Sequence, residues 1–320
     1  MTRKTVCVLG GSGFVGRHIC SLLAQQDYQI KVLTRRKVNC AAIAILPNTQ
    51  IIEANIHDQS QLDAQLADVD VVINLIGILN EREHNGDGFR QAHVETTRKI
   101  LNACHHNKIG RLLHMSALNA DSSQGTSHYL RSKGEAENLV HSFSGNTHVT
   151  SFRPSVIFGA DDSFFNRFAG LLKITPLAFP LACAGARFAP VYVADVANCF
   201  VNAINNPQTY DKRYDLCGPD IYTLKELVSF TSQQLGRKHW VIALPDFIAQ
   251  LQAIVLEYFP GKPFSIDNYH SLEVDSICNE NSEKPPCELL HSPTSVVPWF
   301  LGQQSQQCRD DQFRRTSRRA

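Results

Sequence analysis

The chain has 320 residues, 43% of them hydrophobic, which is enough to bury one large core or a core with a smaller second region. Its 31 basic and 30 acidic residues leave a formal charge of +1, which gives no indication of nucleic-acid binding. Ten cysteines occur without a C-x-x-C pair or a zinc-like His/Cys spacing, and no apolar stretch reaches the length of a membrane span. We therefore expect no metal site and no membrane-spanning segment, and the cysteine usage favours the reducing cytoplasm.

The first half of the chain alternates apolar, β-rich runs with helical patterns. Strands are predicted at residues 5–9, 28–33, 49–56, 70–79 and 111–118, and a sixth strand followed by a loop is predicted within 148–159. Near-continuous apolar strands separated by helices indicate a parallel sheet that is covered on both faces. The predicted fold class is therefore α/β, a Rossmann-type doubly wound parallel sheet with a small C-terminal cap.

Three regions are predicted along the chain: a dinucleotide-binding core (1–160), a mixed cap or substrate region with returning core elements (161–264), and a mostly irregular polar tail (265–320). The strongly apolar segment 245–261 is either a cap or core helix, or an element that lies on a membrane or covers a lipid-like substrate. The basic stretch "RDDQFRRTSRR" (309–319) is either a solubilising tail or a contact for an anionic membrane or partner.

The turn after the first predicted strand has the sequence "GGSGFVG", a G-x-x-G-x-x-G spacing. Glycine lets the chain turn sharply, lets a pyrophosphate approach the backbone, and lets the helix pack closely on the strand. The helix N-terminus adds N–H groups and a partial positive charge for the phosphates. We predict that the nucleotide is bound here by Gly10, Ser12, Gly13, Phe14, Val15 and Gly16.

The second predicted strand ends in "VLTRRK", which places Arg35 and Arg36 where an NAD-preferring Rossmann domain carries an acidic residue for the ribose 2′-hydroxyl. A guanidinium group is suited to a bidentate grip on a 2′-phosphate. The pair therefore favours NADP(H) over NAD(H), with two solvated surface arginines as the alternative.

Tyr129 and Lys133 lie four residues apart in a helical pattern that follows the fifth predicted strand, so they share a helix face. A nearby ammonium group stabilises a tyrosinate, which lets the phenol exchange a proton with a carbonyl or an alcohol. Tyr258 and Lys262 have the same spacing, but a Pro-Gly pair between them interrupts the helix. We therefore place Tyr129 and Lys133 in the cofactor site.

The motifs "VCVLGGSGFVG", "NLIGI", "YLRSK", "FRPSVIFG" and "PVYVADVA" follow one another in the order found in the short-chain dehydrogenase/reductase superfamily. Over most of its length the chain resembles the extended or atypical branch of that superfamily. The stretches "INLIGILNE" and "HMSAL" resemble in particular the group formed by the NADPH-binding accessory subunit of respiratory complex I and its bacterial relatives.

This resemblance implies roles for individual residues. The catalytic serine, tyrosine and lysine of the superfamily match Ser116, Tyr129 and Lys133, and the lysine also holds the nicotinamide ribose. The stretches that contact adenine and line the cofactor match Asn55, Ile56, Leu75, Ile76 and Gly77.

Two departures from the superfamily pattern concern the substrate side of the site. Ser116 precedes Tyr129 by fewer residues than in many extended members, and the loop between them is predicted to be mobile. Any of Asn119, Ser122 and Ser123 is therefore an alternative to Ser116. His93 stands where extended members often carry Asn, and it is either a proton relay or a histidine that lies on the helix surface or packs in the interior.

Two classes of function remain open at this point. The first is an NADPH-dependent oxidoreductase that transfers hydride to or from a carbonyl or alcohol of a quinone- or isoprenoid-related molecule. The second is a non-catalytic NADPH-binding structural or assembly factor of a respiratory complex, or a module that senses the NADPH/NADP⁺ ratio. The expected partners are a small, lipid-like substrate and either a protein or a membrane surface, with no nucleic acid.

Overall fold

The structure, a computed structural model, describes residues 3–143, 145–259, 264–279 and 282–302. The strands are β1 (Thr5–Leu9), β2 (Gln29–Thr34), β3 (Thr49–Glu53), β4 (Val71–Asn74), β5 (Arg111–Met115), β6 (His148–Pro154), β7 (Ile157–Phe158), β8 (Ala178–Leu181), β9 (Arg187–Phe188), β10 (Val191–Tyr192), β11 (Lys212–Leu216), β12 (Tyr222–Thr223) and β13 (Trp240–Ala243). The helices are α1 (Phe14–Gln25), α2 (Ala41–Ala44), α3 (Gln59–Gln65), α4 (Asp87–Arg90), α5 (Thr96–His106), α6 (His128–Ser142), α7 (Phe165–Ile174), α8 (Val193–Ala203), α9 (Leu224–Gln234), α10 (Asp246–Glu257), α11 (Ile266–Ser271) and α12 (Pro293–Leu301). The basic stretch 309–319 and Lys262 lie outside the described residues.

A seven-stranded sheet has the order β11-β6-β5-β4-β1-β2-β3, and every neighbouring pair of strands is parallel. The chain winds outward from β1 in both directions, so the loops after β1 and β4 leave the sheet on either side of a switch point. In such sheets ligands bind at the carboxyl ends of the strands beside this point. The predicted Rossmann-type doubly wound parallel sheet is confirmed.

The packing of β1 and α1 explains why these segments fold as they do. Residues Val6 to Leu9 of β1 are fully buried, as expected for a central parallel strand covered on both faces. Helix α1 buries one face, made by residues at helical spacing: Gly16, Ile19, Cys20 and Leu23.

Three predicted strands extend too far at their carboxyl ends. The strand predicted at 70–79 ends at Asn74, the one at 49–56 ends at Glu53, and the one at 111–118 ends at Met115. The last residue of β4 pairs with Leu9, the last residue of β1, and the chain then turns at Gly10. Residues after Asn74 therefore have no neighbouring strand on that side, although they continue the apolar pattern.

Two compact units can be distinguished. The first comprises Met1–Pro154, Val193–Leu216 and Asn279–Glu288, and it contains the seven-stranded sheet. The second comprises Ser155–Tyr192, Cys217–Cys278 and Leu289–Ala320.

The first unit is completed by a late segment, Asn279–Glu288, that binds to elements near β11. The Lys212 ammonium contacts a carboxylate oxygen of Glu283 at 2.6 Å, and the Ser282 hydroxyl donates to Asp215 at 2.7 Å. A disulfide between Cys199 and Cys287 joins this segment to α8.

The cysteine prediction needs a correction. Cys7 is a free, buried core residue as predicted, and Cys199 is also buried, but Cys199 is paired with Cys287. A second disulfide joins Cys217 and Cys278 within the second unit. The paired residues are 88 and 61 positions apart, so local spacing carried no signal of either bond. Paired cysteines give no support to the reducing compartment that the sequence favoured.

The second unit is built from two-stranded pairs and helices around its own apolar core. Strand pairs β10-β7, β12-β9 and β13-β8 border this core, and helices α7, α9 and α12 contribute to it. Phe158, Phe165 and Leu172 are fully buried within it. Among the described residues, no helix is both long enough and apolar enough to cross a bilayer.

Candidate functional site

The glycine turn after β1 is built so closely that side chains are excluded. Gly10 has a φ of +84°, and its carbonyl oxygen accepts a hydrogen bond from the Gly13 N–H at 3.0 Å. A Cβ atom at Gly16 would lie 2.4 Å from the same oxygen, so α1 can start here only with glycine at that position. Gly13 is the N-cap and has no side chain that could occupy the first N–H groups of α1. Ser12 lies in this turn, and Phe14 and Val15 begin α1.

The stretch after β4 lies against the glycine turn. A Cβ atom at Gly10 would be 3.2 Å from the backbone carbon of Leu75, and the Leu75 N–H donates to the Leu9 carbonyl at 3.0 Å. Ile76 packs against the buried core cluster of the first unit, while Gly77 is exposed. The structure thus brings two of the sequence-predicted cofactor stretches together at the switch point of the sheet.

The ends of β2 and β3 lie side by side, since Thr34 pairs with Glu53. Arg35 and Arg36 are exposed immediately after β2, and Asn55 is exposed after β3, where its side chain accepts the His57 N–H at 3.1 Å. Ile56 is half-buried against the core. Burial, together with the positive charges of Lys99 and Arg35, lowers the pKa of His57.

These features fit a dinucleotide. The first N–H groups of α1 have no side-chain cap at Gly13, and the helix dipole of α1 favours the negative charge of a pyrophosphate at that point. The arginine pair supplies two exposed cations next to the adjoining strand ends. The residues present would hold an NAD(P) molecule along the carboxyl ends of β1, β2 and β4.

Helix α6 carries the next part of the site on three successive turns of one face. Ser127 caps the helix by accepting the Leu130 N–H at 3.1 Å. Tyr129 is half-buried, whereas Lys133 and Glu137 are buried. The ring of Tyr129 meets the rings of Phe89 and His93 edge to face, with centroids 5.9 and 5.6 Å apart.

Lys133 is a buried cation beside the expected cofactor stretch. Its Nζ donates to the Met115 carbonyl at 3.1 Å, and a Cβ atom at Gly77 would lie 3.0 Å from that nitrogen. Burial lowers the pKa of Lys133 to about 8, against the opposing effect of the Glu137 carboxylate. The side chain therefore keeps its charge at neutral pH but can release a proton in mildly alkaline solution.

Ser116 is bound to a buried charge network. Its hydroxyl donates to Glu137 at 2.9 Å, and Glu137 also accepts two bonds from the Arg153 guanidinium at 2.9 and 3.0 Å. Arg213 of β11 contacts the same carboxylate at 3.3 Å. Ser116 is 2% exposed, so the hydroxyl that the sequence assigned to substrate binding is committed to a protein carboxylate.

His93 lies in a π-helical turn, Gln91–Glu95, between α4 and α5. The Ile78 N–H donates to its Nε2 at 3.1 Å, and its Nδ1 faces the Ser132 hydroxyl at 2.8 Å. This arrangement assigns the proton to Nδ1. Burial and the charge of Lys133 hold the pKa of His93 well below its usual range, so the ring is neutral. Of the two roles open for His93, the geometry describes the packed one.

His114 of β5 is a second buried, neutral imidazole near Lys133. The Asn74 amide donates to its Nδ1 at 3.2 Å, and its Nε2 has no hydrogen-bond partner among the described residues. Burial, with the charges of Lys133 and His141, lowers the pKa of His114 to about 3. Lys133 is therefore the cation of this cluster, while both histidines are uncharged.

The loop between β5 and α6 is fixed by its own hydrogen bonds. Asp121 accepts from the N–H groups of Ser123 and Gln124 at 2.7 and 2.8 Å and from the Ser123 hydroxyl at 2.8 Å. The Asn138 amide donates to the Ser122 hydroxyl at 3.0 Å. Ser122 and Ser123, two of the alternatives to Ser116, are both exposed and held in this loop.

Sequence reasoning missed Glu137 and His114. Glu137 follows Lys133 by four residues in "YLRSKGEAE", the same spacing that identified Lys133, so a third charged position on this helix face was a usable signal. Nothing local identifies His114, because its environment is made by β4, α5 and α6.

Comparison with known proteins places this geometry in a family. The family model described as "NAD dependent epimerase/dehydratase family" matches residues 6–217, and the chain belongs to this family.

Its relatives include both respiratory subunits and reductases. The chain is similar to the mitochondrial NADH dehydrogenase [ubiquinone] 1 alpha subcomplex subunit 9 of Mus musculus, with 32% identity over 81% of this chain and 68% of that protein. It is also similar to the ceramide reductase of Caulobacter vibrioides, with 25% identity over 76% of this chain and 74% of the relative. Among solved structures, a UDP-glucuronic acid 4-epimerase from Bacillus cereus in complex with UDP-glucuronic acid and NAD matches with a TM-score of 0.66 and 18% identity, covering 84% of this chain and 99% of that one. This last likeness supports the fold alone.

Proposed function

We propose that the protein is an NADP(H)-dependent oxidoreductase that transfers hydride to or from a carbonyl or alcohol of a lipid-like molecule, such as a quinone- or isoprenoid-related compound. The observation that carries the proposal is the placement of Lys133. It is a buried cation one helical turn from Tyr129 and directly beside Gly77, where the cofactor stretch after β4 approaches.

In this proposal Tyr129 is the acid and base. The ammonium group of Lys133 stabilises a phenolate on the same helix face, which makes proton transfer between Tyr129 and a substrate oxygen easier. The hydride is the chemistry that bound NADP(H) would supply. Lys133 would also hold the nicotinamide ribose, because its nitrogen faces Gly77.

Specificity for the 2′-phosphate is assigned to Arg35 and Arg36. Both are exposed at the end of β2, where a guanidinium can bind a phosphate with two parallel hydrogen bonds. Similarity to a ceramide reductase supports a lipid as the substrate class.

A second candidate function is a non-catalytic NADP(H)-binding factor of a respiratory complex. It is favoured by the bond between Ser116 and Glu137, which removes the expected serine hydroxyl from substrate binding. Similarity to a mitochondrial NADH dehydrogenase subunit supports the same reading. Bound nucleotide would then stabilise the folded chain by mass action without turning over.

The test begins with protein purified without added cofactor. The retained nucleotide is identified by mass spectrometry, and its exchange with deuterated NADPH is followed. Exchange faster than about one per second, the scale of ordinary turnover, is expected for an enzyme. Retention for hours, with no reduction of carbonyl lipids or quinones, would replace the enzymatic proposal with the structural one.

Replacement of Tyr129 by Phe then tests the assigned role. Loss of the phenol is expected to lower turnover about 1,000-fold while NADPH affinity stays within about threefold. Tyr210→Phe is the matched control, because it removes a hydroxyl from a tyrosine of the same unit whose ring is stacked on His148. Equal turnover in the two variants would contradict the role of Tyr129.

A further inference from the structure

The strand pair β8-β13 of the second unit is apolar on both faces. Its inner face buries Phe179, Leu181 and Val241 in the core of that unit. Its outer face exposes two cross-strand pairs of residues, Trp240 paired with Ala178 and Ile242 paired with Pro180. Strands with one solvated face normally alternate apolar and polar residues, so an apolar outer face indicates that something covers it.

Helix α10 lies beside β8 of this strand pair. Its Ala249 and Ala253 are buried against Ala182 and Tyr269, and the Gln252 amide donates to the Pro180 carbonyl of β8 at 3.3 Å. The opposite side of the helix is exposed and apolar. We define the apolar face as Trp240, Ile242, Phe247, Leu251, Ile254 and Val255.

The exposure of these side chains is large for their type. Trp240 is 78% exposed, Phe247 is 72% exposed and Leu251 is 58% exposed. Single exposed apolar residues are ordinary, but six on two elements that are joined by the Gln252–Pro180 hydrogen bond are of the kind that marks an interaction surface.

Basic residues border the apolar face at the Trp240 end. The Trp240 N–H donates to the Leu177 carbonyl at 2.8 Å. The segment that precedes Leu177 carries Lys173. The Arg237 guanidinium donates to the Lys173 carbonyl at 2.9 Å, and Lys238 follows it. Lys173, Arg237 and Lys238 are exposed, and none of them forms an ion pair with another described residue.

Helix α10 carries two acidic residues, of which Asp246 is exposed and Glu257 is nearly buried. Asp246, at the start of α10, accepts the Tyr269 hydroxyl, and Glu257, at its end, is 9% exposed. The Trp240 end of the face therefore carries three exposed cations without ion-pair partners among the described residues, and these cations complement an anionic surface. A tryptophan with lysines beside an apolar helix is the composition found at the boundary between lipid headgroups and acyl chains.

We propose that the apolar face binds the surface of an anionic lipid bilayer. Helix α10 and Trp240 lie at the headgroup boundary, and Lys173, Arg237 and Lys238 contact lipid phosphates. The proposal concerns the second unit by itself and does not depend on whether the site of the first unit turns over.

The experiment is co-sedimentation of the full chain with vesicles. The vesicles contain phosphatidylcholine alone, or phosphatidylcholine and phosphatidylserine in a ratio of about 7:3, the second giving the anionic surface. Binding to the anionic vesicles is expected to be at least about tenfold tighter than to neutral ones at low salt, and to weaken as salt is added.

Two variants separate the charge from the apolar contact. Lys173→Ala with Lys238→Ala is expected to weaken binding about 25-fold, or about fivefold for each lysine. Phe247→Asp with Leu251→Asp is expected to abolish binding, because two charges would enter the acyl region. Ile45→Asp is the matched control, since it places a charge at an exposed isoleucine of the first unit. Circular dichroism of each variant reports whether it is folded.

The outcomes decide the proposal. Weaker vesicle binding in the lysine variant and loss of binding in the aspartate variant, with binding retained in Ile45→Asp, would support it. Should the aspartate variant fail to fold, the lysine variant alone still tests the charge contribution. Absence of wild-type binding to anionic vesicles would overturn the proposal. If the wild type sediments as a dimer and the Leu251→Asp variant as a monomer, a second copy of the chain is instead the occupant of the apolar face.

Discussion

The glycine turn and the buried cluster around Lys133 form two ends of one expected nucleotide site, and they are built in different ways. The turn is defined by backbone atoms of a few neighbouring residues, with Gly16 pressed against the Gly10 carbonyl. The cluster is made from side chains of four strands and two helices, in which Glu137 balances the charges of Lys133 and Arg153. Steric fit determines the structure of the glycine turn, whereas charge balance determines the structure of the Lys133 cluster. Different substitutions should therefore disrupt the two regions.

The largest effect is expected at the glycine turn. Gly16→Ala adds a Cβ 2.4 Å from the Gly10 oxygen, so α1 must move away from β1. We expect NADPH affinity to fall at least about 100-fold and the free energy of unfolding to fall by about 3 kcal/mol. Isothermal titration and urea unfolding measure both. Gly110→Ala is the control, because a Cβ there meets no atom within 4 Å, and equal losses in the two variants would contradict the steric account.

The cluster should respond to charge rather than to volume. Glu137→Gln keeps the shape but leaves the Arg153 and Lys133 cations without their buried counter-charge. We expect the free energy of unfolding to fall by about 2–3 kcal/mol. Glu135→Gln, on the same helix, removes an exposed pair with Arg90 and should cost no more than about 0.5 kcal/mol. Similar losses for both variants in urea unfolding would show that the buried carboxylate has no special role.

Acid should destabilise the cluster through His114. The folded chain holds the pKa of His114 at about 3, whereas the unfolded chain takes up this proton near pH 6.5. Stability from this group is complete above pH 6.5 and is lost as the pH falls towards 3. The slope of unfolding free energy with pH should reach about 1.4 kcal/mol per unit for this one proton. His114→Gln should flatten that slope and the exposed His106→Gln should not; an unchanged slope in both would refute the assignment.

The smallest effect is expected where the nucleotide meets solvent. Arg35→Ala with Arg36→Ala removes two exposed cations, so the ratio of NADPH to NADH affinity should narrow about tenfold. Fluorescence titration with each nucleotide measures the ratio. Lys37→Ala, one position further along, is the charge control. A ratio that does not change would mean that the arginines are only solvated surface residues.

The contrast between the glycine turn and the Lys133 cluster also explains how much of the fold and of the candidate site could be predicted from the sequence. The glycine turn and the Tyr129–Lys133 spacing are local patterns, and both lie at the carboxyl edge of the predicted parallel sheet. The bond between Ser116 and Glu137 and the burial of His114 depend on which strands become neighbours, and local spacing does not contain that information. The strand predicted at 70–79 failed for the same reason, because its end at Asn74 is set by the turn of β1 at Gly10.

The late segment Asn279–Glu288 has a consequence for how the chain is made. The family match ends at residue 217, yet the first unit is completed only by residues 279–288, which bind Lys212 and Asp215 and are joined to Cys199. During synthesis, segment 279–288 leaves the ribosome only after residues 217–278 of the second unit, so the first unit cannot be completed before then. A fragment cut at the end of the family match would lack that segment, so expression of the isolated nucleotide-binding unit calls for a permuted or fused chain that restores it.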